Sequence, residues 1–176
     1  GADLVGISSY VANGSYTLVN NMIHLAPEVH PTKAYNNPDT YGILAVTRSG
    51  NTTKYYFNTV YITGSGKSSL PGDCPVVPSY GFMRTAAGNG ETNGGTVHFK
   101  NNIIINNRTG YVDRFAICNN TSNPTTGWSG SNVDYNFLST DNTSEVAQRI
   151  VGNFQTGPAT NYSFSGWKTA FSCDAN

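Results

Sequence analysis

The chain has 176 residues with ten basic and ten acidic side chains, so its formal charge is zero, and only 11% of its residues are charged. That length allows one domain and argues against two, and the charge balance argues against the basic surface that binds nucleic acid and gives no reason to expect an anionic membrane partner. The 22 Asn, 20 Thr, 16 Ser and 19 Gly, beside 12% aromatics, point to a turn-rich β protein, poor in helix and not disordered.

Taken in chain order, two kinds of short segment alternate. Val5-Gly6-Ile7-Ser8 is followed by Leu18-Val19-Asn20-Asn21-Met22-Ile23. Tyr41-Gly42-Ile43-Leu44 is then followed by Tyr56-Phe57-Asn58-Thr59-Val60-Tyr61, and Tyr80-Gly81-Phe82-Met83 by Phe99-Lys100-Asn101-Asn102-Ile103-Ile104. A degenerate fourth pair is Arg114-Phe115-Ala116-Ile117 with Val133-Asp134-Tyr135-Asn136-Phe137-Leu138. Each segment is β-branched or aromatic and bounded by Gly, Asn or Ser, as strands are. The linkers, such as Val11–Ser15, Arg48–Thr53 and Ala86–Gly95, are polar and lack the 3.6-residue period of a crossover helix. The one helical candidate is Thr143–Val151, and the C-terminal segment 152–176 is expected to cap the repeats or to dock.

A unit of two or three short strands cannot bury its apolar face alone, but stacked units can pair each strand in parallel with its equivalent in the next. Residues 1–151 are therefore expected to form an all-β solenoid of about four to five coils. Its glycine file is Gly6, Gly42 and Gly81, and its asparagine file is Asn20, Asn58 and Asn101, with Asn21, Asn102 and Asn136 beside it. Asparagine tolerates left-handed backbone angles, and stacked amides can hydrogen-bond along a file. A repeat that starts at Val5 leaves strand edges at its ends, and such edges invite association.

Phe99-Lys100-Asn101-Asn102-Ile103-Ile104-Ile105-Asn106-Asn107 resembles the coil signature of right-handed parallel β-helices of the pectate-lyase-like superfamily. Val133–Leu138, Phe164-Ser165-Gly166-Trp167-Lys168 and Asp174-Ala175-Asn176 are similar to late segments of such domains. The resemblance implies a right-handed β-helix of the secreted or cell-surface type. It also implies one activity to weigh, a polysaccharide lyase or glycoside hydrolase. The family's lyases use an acidic Ca²⁺ cluster and an Arg or Lys base, whereas no paired carboxylates stand at stacking positions here and the coils are few. The expected role is non-catalytic: structural or adhesive, with self-assembly or recognition of a surface glycan or protein.

Were the chain an enzyme, Arg84, Arg114, Lys100 and Asp113 would be the catalytic candidates, with Asp134 nearby. Tyr41, Tyr80, Phe82, Trp128 and Trp167 are the candidate binding or interface aromatics, Trp128 because it sits in the loop Thr126-Gly127-Trp128-Ser129. His24, His30 and His98 show no converging ligand pattern and there is no Cys-x-x-Cys, so neither metal nor cofactor is expected. Of Cys74, Cys118 and Cys173, Cys118 lies in an apolar run and is expected to be buried, and a Cys74–Cys173 bridge is one way to pin the tail. No stretch approaches 18 apolar residues, so no membrane span is expected. The low charge and seven sequons, at Asn13, Asn51, Asn107, Asn119, Asn120, Asn142 and Asn161, suit a secreted protein.

Overall fold

The computed structural model describes residues 3–10, 14–28, 39–65, 77–87, 94–110, 112–123, 125–128, 130–141, 147–150 and 159–174. The strands among them are β1 (Leu4–Tyr10), β2 (Tyr16–Val19), β3 (Met22–Leu25), β4 (Thr40–Thr47), β5 (Thr52–Tyr56), β6 (Thr59–Ile62) and β7 (Val77–Ala86). They continue with β8 (Thr96–Lys100), β9 (Ile103–Asn106), β10 (Val112–Asn120), β11 (Val133–Asp134), β12 (Phe137–Thr140), β13 (Ala147–Ile150) and β14 (Ala159–Tyr162), and end in the helix α1 (Phe164–Phe171). Among the described residues the fold is all-β with this one α-helix. No described helix is long and apolar enough to cross a membrane.

The strands form three sheets by one rule: β1 to β10 each pair in parallel with the strand three later in the chain. The first sheet runs β1-β4-β7-β10-β13, with β14 added antiparallel at its edge. The second runs β2-β5-β8-β11 and the third β3-β6-β9-β12, both wholly parallel. Register brings like residues together. Ile7, Ile43, Phe82, Ile117 and Ala147 form one file; Leu18, Tyr55, Phe99 and Val133 form a second; and Ile23, Val60, Ile104 and Leu138 form a third. All three enter a single apolar core. Burial is complete for Ile43, Tyr55 and Ile62, whereas their counterparts Ile7, Leu18 and Leu25 in the first three strands are only half-buried, because nothing among the described residues lies beyond them.

The glycine file is sterically required. A Cβ on Gly6 would stand 2.6 Å from the carbonyl oxygen of Gly42, one on Gly42 would stand 2.5 Å from that of Gly81, and one on Gly81 would stand 2.7 Å from that of Ala116. Each would also strike a core side chain, Ile23, Val60 or Ile104 in turn. In the fourth pair Ala116 takes the place opposite Gly81, since Phe115 pairs with Tyr80 and Ile117 with Phe82. The fourth segment is thus offset by one residue from its expected alignment.

The second kind of segment also departs by one residue, in its second copy. Leu18, Phe99 and Val133 share a file as expected, but Tyr55, not Tyr56, completes it. Asn58 therefore belongs with Asn21, Asn102 and Asn136, not with Asn20 and Asn101. The latter two lie in a neighbouring file of left-handed residues: Asn20 (φ 58), Phe57 (φ 56), Asn101 (φ 57) and Tyr135 (φ 60). These are the corner positions between the second and third sheets. Asparagine adopts such angles readily, while Phe57 and Tyr135 hold them at a cost of roughly 1 kcal/mol each.

Of the helix expected over Thr143–Val151, the described residues Ala147–Ile150 form strand β13 instead, in register with Ile117–Asn120, and the rest lies outside the described residues. Pairing with an existing edge overrides its modest helical propensity. Helix α1 lies within the tail instead. Ser163 caps it, accepting a 3.2 Å hydrogen bond from the Gly166 amide, and its Trp167 and Phe171 are buried. The Trp167 ring meets Trp128 edge-on at 6.3 Å, which ties the tail to the core.

Candidate functional site

Inside the corner between the second and third sheets, buried amides form a continuous hydrogen-bonded ladder. The backbone N–H and the Nδ2 of Asn21 both donate to Oδ1 of Asn58, at 3.1 and 2.9 Å. Asn58 donates in the same way to Asn102, at 2.9 and 3.0 Å, and Asn102 to Asn136, at 3.0 Å twice. Asp174 ends the series: its Oδ1 accepts from the Asn136 amide at 3.0 Å and from its Nδ2 at 2.9 Å. Three of the Nδ2 groups also donate to a backbone carbonyl of the preceding equivalent segment, Asn58 to Leu18, Asn102 to Tyr55 and Asn136 to Phe99, while Asn21 donates to Val19 of its own segment. The amide suits this place because it carries both the acceptor and the donors that the turn needs. A carboxylate suits only the last rung, and burial raises the Asp174 pKa above the usual carboxylate value despite the two hydrogen bonds from Asn136.

The four charged candidates do not form a site. Arg84 is fully buried. Its guanidinium donates to the carbonyls of Gly95 and Thr126 at 2.7 Å each and to Asn119 Oδ1 at 3.2 Å, and it lies 5.8 Å from the Trp128 ring centre. Burial lowers its pKa to about 10. It clamps two loops from within, so an exposed base or sugar clamp at this position is excluded. Arg114 is tied to Asp141 Oδ2 at 2.8 Å and to the Arg108 carbonyl at 2.9 Å. Arg84 pairs with Asn119 on β10, five residues along from Arg114, or roughly 16 Å at strand rise. Asp113 is exposed beside Arg114, and Lys100 stands on the second sheet opposite Tyr56 and Asp134.

The five proposed binding aromatics are interior. Tyr41 and Tyr80 stack at 5.9 Å, and Phe115 continues the stack at 5.8 Å, within a second buried cluster that includes Met83 and Cys118. Burial raises both tyrosine pKa values. Phe82 lies flat against Trp128 at 5.7 Å, and Trp128 and Trp167 are fully buried. Trp128 turns inward from its glycine-rich loop because Phe82, Phe99 and Arg84 offer it a ring-lined seat. Cys118 is a buried free thiol as expected. Cys173 is also a buried free thiol, so it forms no bridge to Cys74, which lies outside the described residues; burial pushes its pKa up to about 12. Among the sequons, Asn119 is fully buried and Asn120 nearly so, which leaves no room for a glycan on either, while Asn161 is exposed. His30, Asn13 and Asn142 fall outside the described residues.

The apolar surface lies where the sequence did not point. On the outer face of the third sheet, Met22, Thr59, Ile103 and Phe137 share one file, and His24, Tyr61, Ile105 and Ser139 share the next. The left-handed corner file with Phe57 and Tyr135 borders them. These twelve outward positions contain no Asp, Glu, Lys or Arg. Met22 is 85% exposed, Phe57 and Phe137 57%, Tyr135 54%, Ile103 44% and Tyr61 40%, so six of the nine exposed large hydrophobic side chains among the described residues lie here. His24 stacks on Tyr61 at 5.2 Å and bonds to Thr63 Oγ1 at 3.0 Å. The neighbouring second sheet presents charge instead: Lys54 pairs with His98, whose pKa is lowered by partial burial and by Lys100 and Lys54. Alternation could not reveal the uncharged face, because both sides of the third-sheet strands are apolar.

No protein-family model, curated protein or solved structure matches this chain.

Proposed function

We propose that the chain is a right-handed parallel β-helix of four to five coils with a non-catalytic role, a secreted or cell-surface structural or adhesive unit that associates with itself or binds a surface glycan or protein. The observation that carries the reading is the rule of strand pairing, each of β1 to β10 in register with the third strand following, which places three edges, β1, β2 and β3, side by side at one end. Parallel strands in one sheet are connected right-handedly in nearly every known case, which supports the handedness. Among the described residues no further strand pairs with β1, β2 or β3, and the half-buried Ile7, Leu18 and Leu25 make that end apolar; such an edge can accept further strands. The described part of the tail, residues 159–174, acts as the cap at the other end, with Asp174 closing the amide ladder and Trp167 and Phe171 covering the core.

The rival reading, a polysaccharide lyase or hydrolase, has less support, since Arg84 is buried, Arg114 is held by Asp141, and Lys100 stands on a different sheet. Electron microscopy across a concentration series tests the proposal. Associated particles, or retention on an insoluble glycan, are expected. Dispersed monomers that bind no glycan, or turnover of an acidic or neutral glycan, would overturn it.

A further inference from the structure

We infer that the uncharged outer face of the third sheet is a self-recognition surface, through which two copies of this chain pair laterally as a two-fold dimer. The inference rests on the self-associating reading above but assigns the contact to a side of the molecule instead of its end.

Three observations select the occupant. The first is charge. No Asp, Glu, Lys or Arg occupies any of the twelve outward positions, so the face meets its own image without repulsion between such charges, and the chain as a whole carries no formal net charge to oppose association. The second is composition. Met22, Phe57, Tyr61, Tyr135 and Phe137 are the residue types enriched in the cores of protein interfaces, and the charged types depleted there are missing.

The third is area. With side chains of roughly 150–250 Å² each, the six observed exposures leave roughly 500–850 Å² of largely apolar surface. That reaches or exceeds the largest patch of an ordinary monomer, about 300–600 Å², and is comparable to the roughly 800 Å² per partner of a standard interface. The area therefore fits a reversible dimer, not a permanent one.

Phe57 and Tyr135 add a further argument. Their left-handed angles suit asparagine, the residue that the same file uses at 20 and 101. Large exposed rings at these two corners work against the isolated fold, and burial against a second copy gives them a role.

Sedimentation equilibrium from micromolar to millimolar protein tests the proposal, with Ile103→Lys, Phe57→Asn and Tyr135→Asn beside the parent chain. The parent's average mass is expected to rise towards twice the monomer and stop there. Ile103→Lys should remain monomeric, since the two-fold would bring the new charge near its own copy. The two asparagine variants should weaken the dimer at least tenfold while melting at the same temperature or higher, which separates lost contact from lost fold. A parent chain that stays monomeric, or a mass that rises equally in Ile103→Lys, overturns the inference. The second outcome would leave end-on association standing. Glycan binding by a monomeric parent that Ile103→Lys abolishes would also overturn it, by giving the face to a different occupant.

Discussion

Replacing Asn102 with alanine tests whether the buried amide ladder holds the sheets together. Asn102 is 1% exposed and makes the densest set of bonds in the series. Its Oδ1 receives the Asn58 amide at 2.9 Å and the Asn58 Nδ2 at 3.0 Å. Its Nδ2 serves the carbonyls of Tyr55 and Lys100 and Oδ1 of Asn136, at 3.0, 3.1 and 3.0 Å. Alanine removes all of these and leaves the Asn58 N–H and the Tyr55 carbonyl buried without those partners. Each orphaned group costs about 1–3 kcal/mol, so the variant should lose roughly 2–6 kcal/mol, a large share of the 5–15 kcal/mol typical of a domain. Urea unfolding at constant slope measures the loss, and hydrogen exchange at the Asn58 amide should quicken in parallel. Asn21→Ala, at the half-buried first rung, should cost about 1–2 kcal/mol by the same principle. Asn101→Gly, next in sequence but exposed and left-handed, should be nearly neutral. A loss at Asn102 below about 1.5 kcal/mol, or no greater than at Asn21, would refute the idea that the ladder is a principal buried tie.

Three further outcomes are expected. Gly42→Ala should destabilise the chain by about 3 kcal/mol or more, because the new methyl meets both the Gly81 carbonyl and Val60 between stacked strands; thermal melting reads this, and a shift of less than a few degrees would contradict the glycine file. Arg84→Ala should cost roughly 2–4 kcal/mol by freeing the Gly95 and Thr126 carbonyls and opening a cavity beneath Trp128; quenched or red-shifted tryptophan emission should accompany the loss, and unchanged stability would contradict the clamp. Asp174→Asn should raise the urea midpoint at pH 7. The carboxyl titrates higher in the folded chain than in the unfolded one, so the folded state binds the proton more tightly, and stability falls as pH rises from the unfolded carboxylate range through the raised value. That slope should disappear in the variant, and an equal slope in both would contradict the assignment.

How much of this was legible in the sequence depends on what each residue type admits. The glycine file could be read directly, since only glycine fits where one strand's Cα faces the next strand's carbonyl, and Gly6, Gly42 and Gly81 are spaced to match. The asparagine file was legible in kind but slipped by one residue. Each corner needs a left-handed residue followed by an inward amide, and two corners write this as Asn-Asn. The other two write it as Phe57-Asn58 and Tyr135-Asn136. Matching letters aligned Asn58 with the left-handed residue, whereas the backbone aligned it with the inward one. Arg84 and Trp128 were misplaced for a related reason. Charge and a glycine-rich loop ordinarily mark a surface, but here the guanidinium bonds two loop carbonyls in the interior and lies over the face of the indole.

The outer face of the third sheet illustrates a separate limit. Inward positions are constrained by their neighbours above and below, so their composition follows from the fold. Outward positions carry no such constraint, and solubility alone favours polar or charged residues there. The second sheet follows that expectation with Lys54, His98 and Lys100. The third sheet departs from it in all four of its strands at once, and its corner file sets two aromatic rings at backbone angles that disfavour them. Packing within the chain requires neither feature. A surface that departs from the fold's requirements in this coordinated way is best explained by a contact beyond the chain, and its lack of charge is what allows that contact to be another copy of itself.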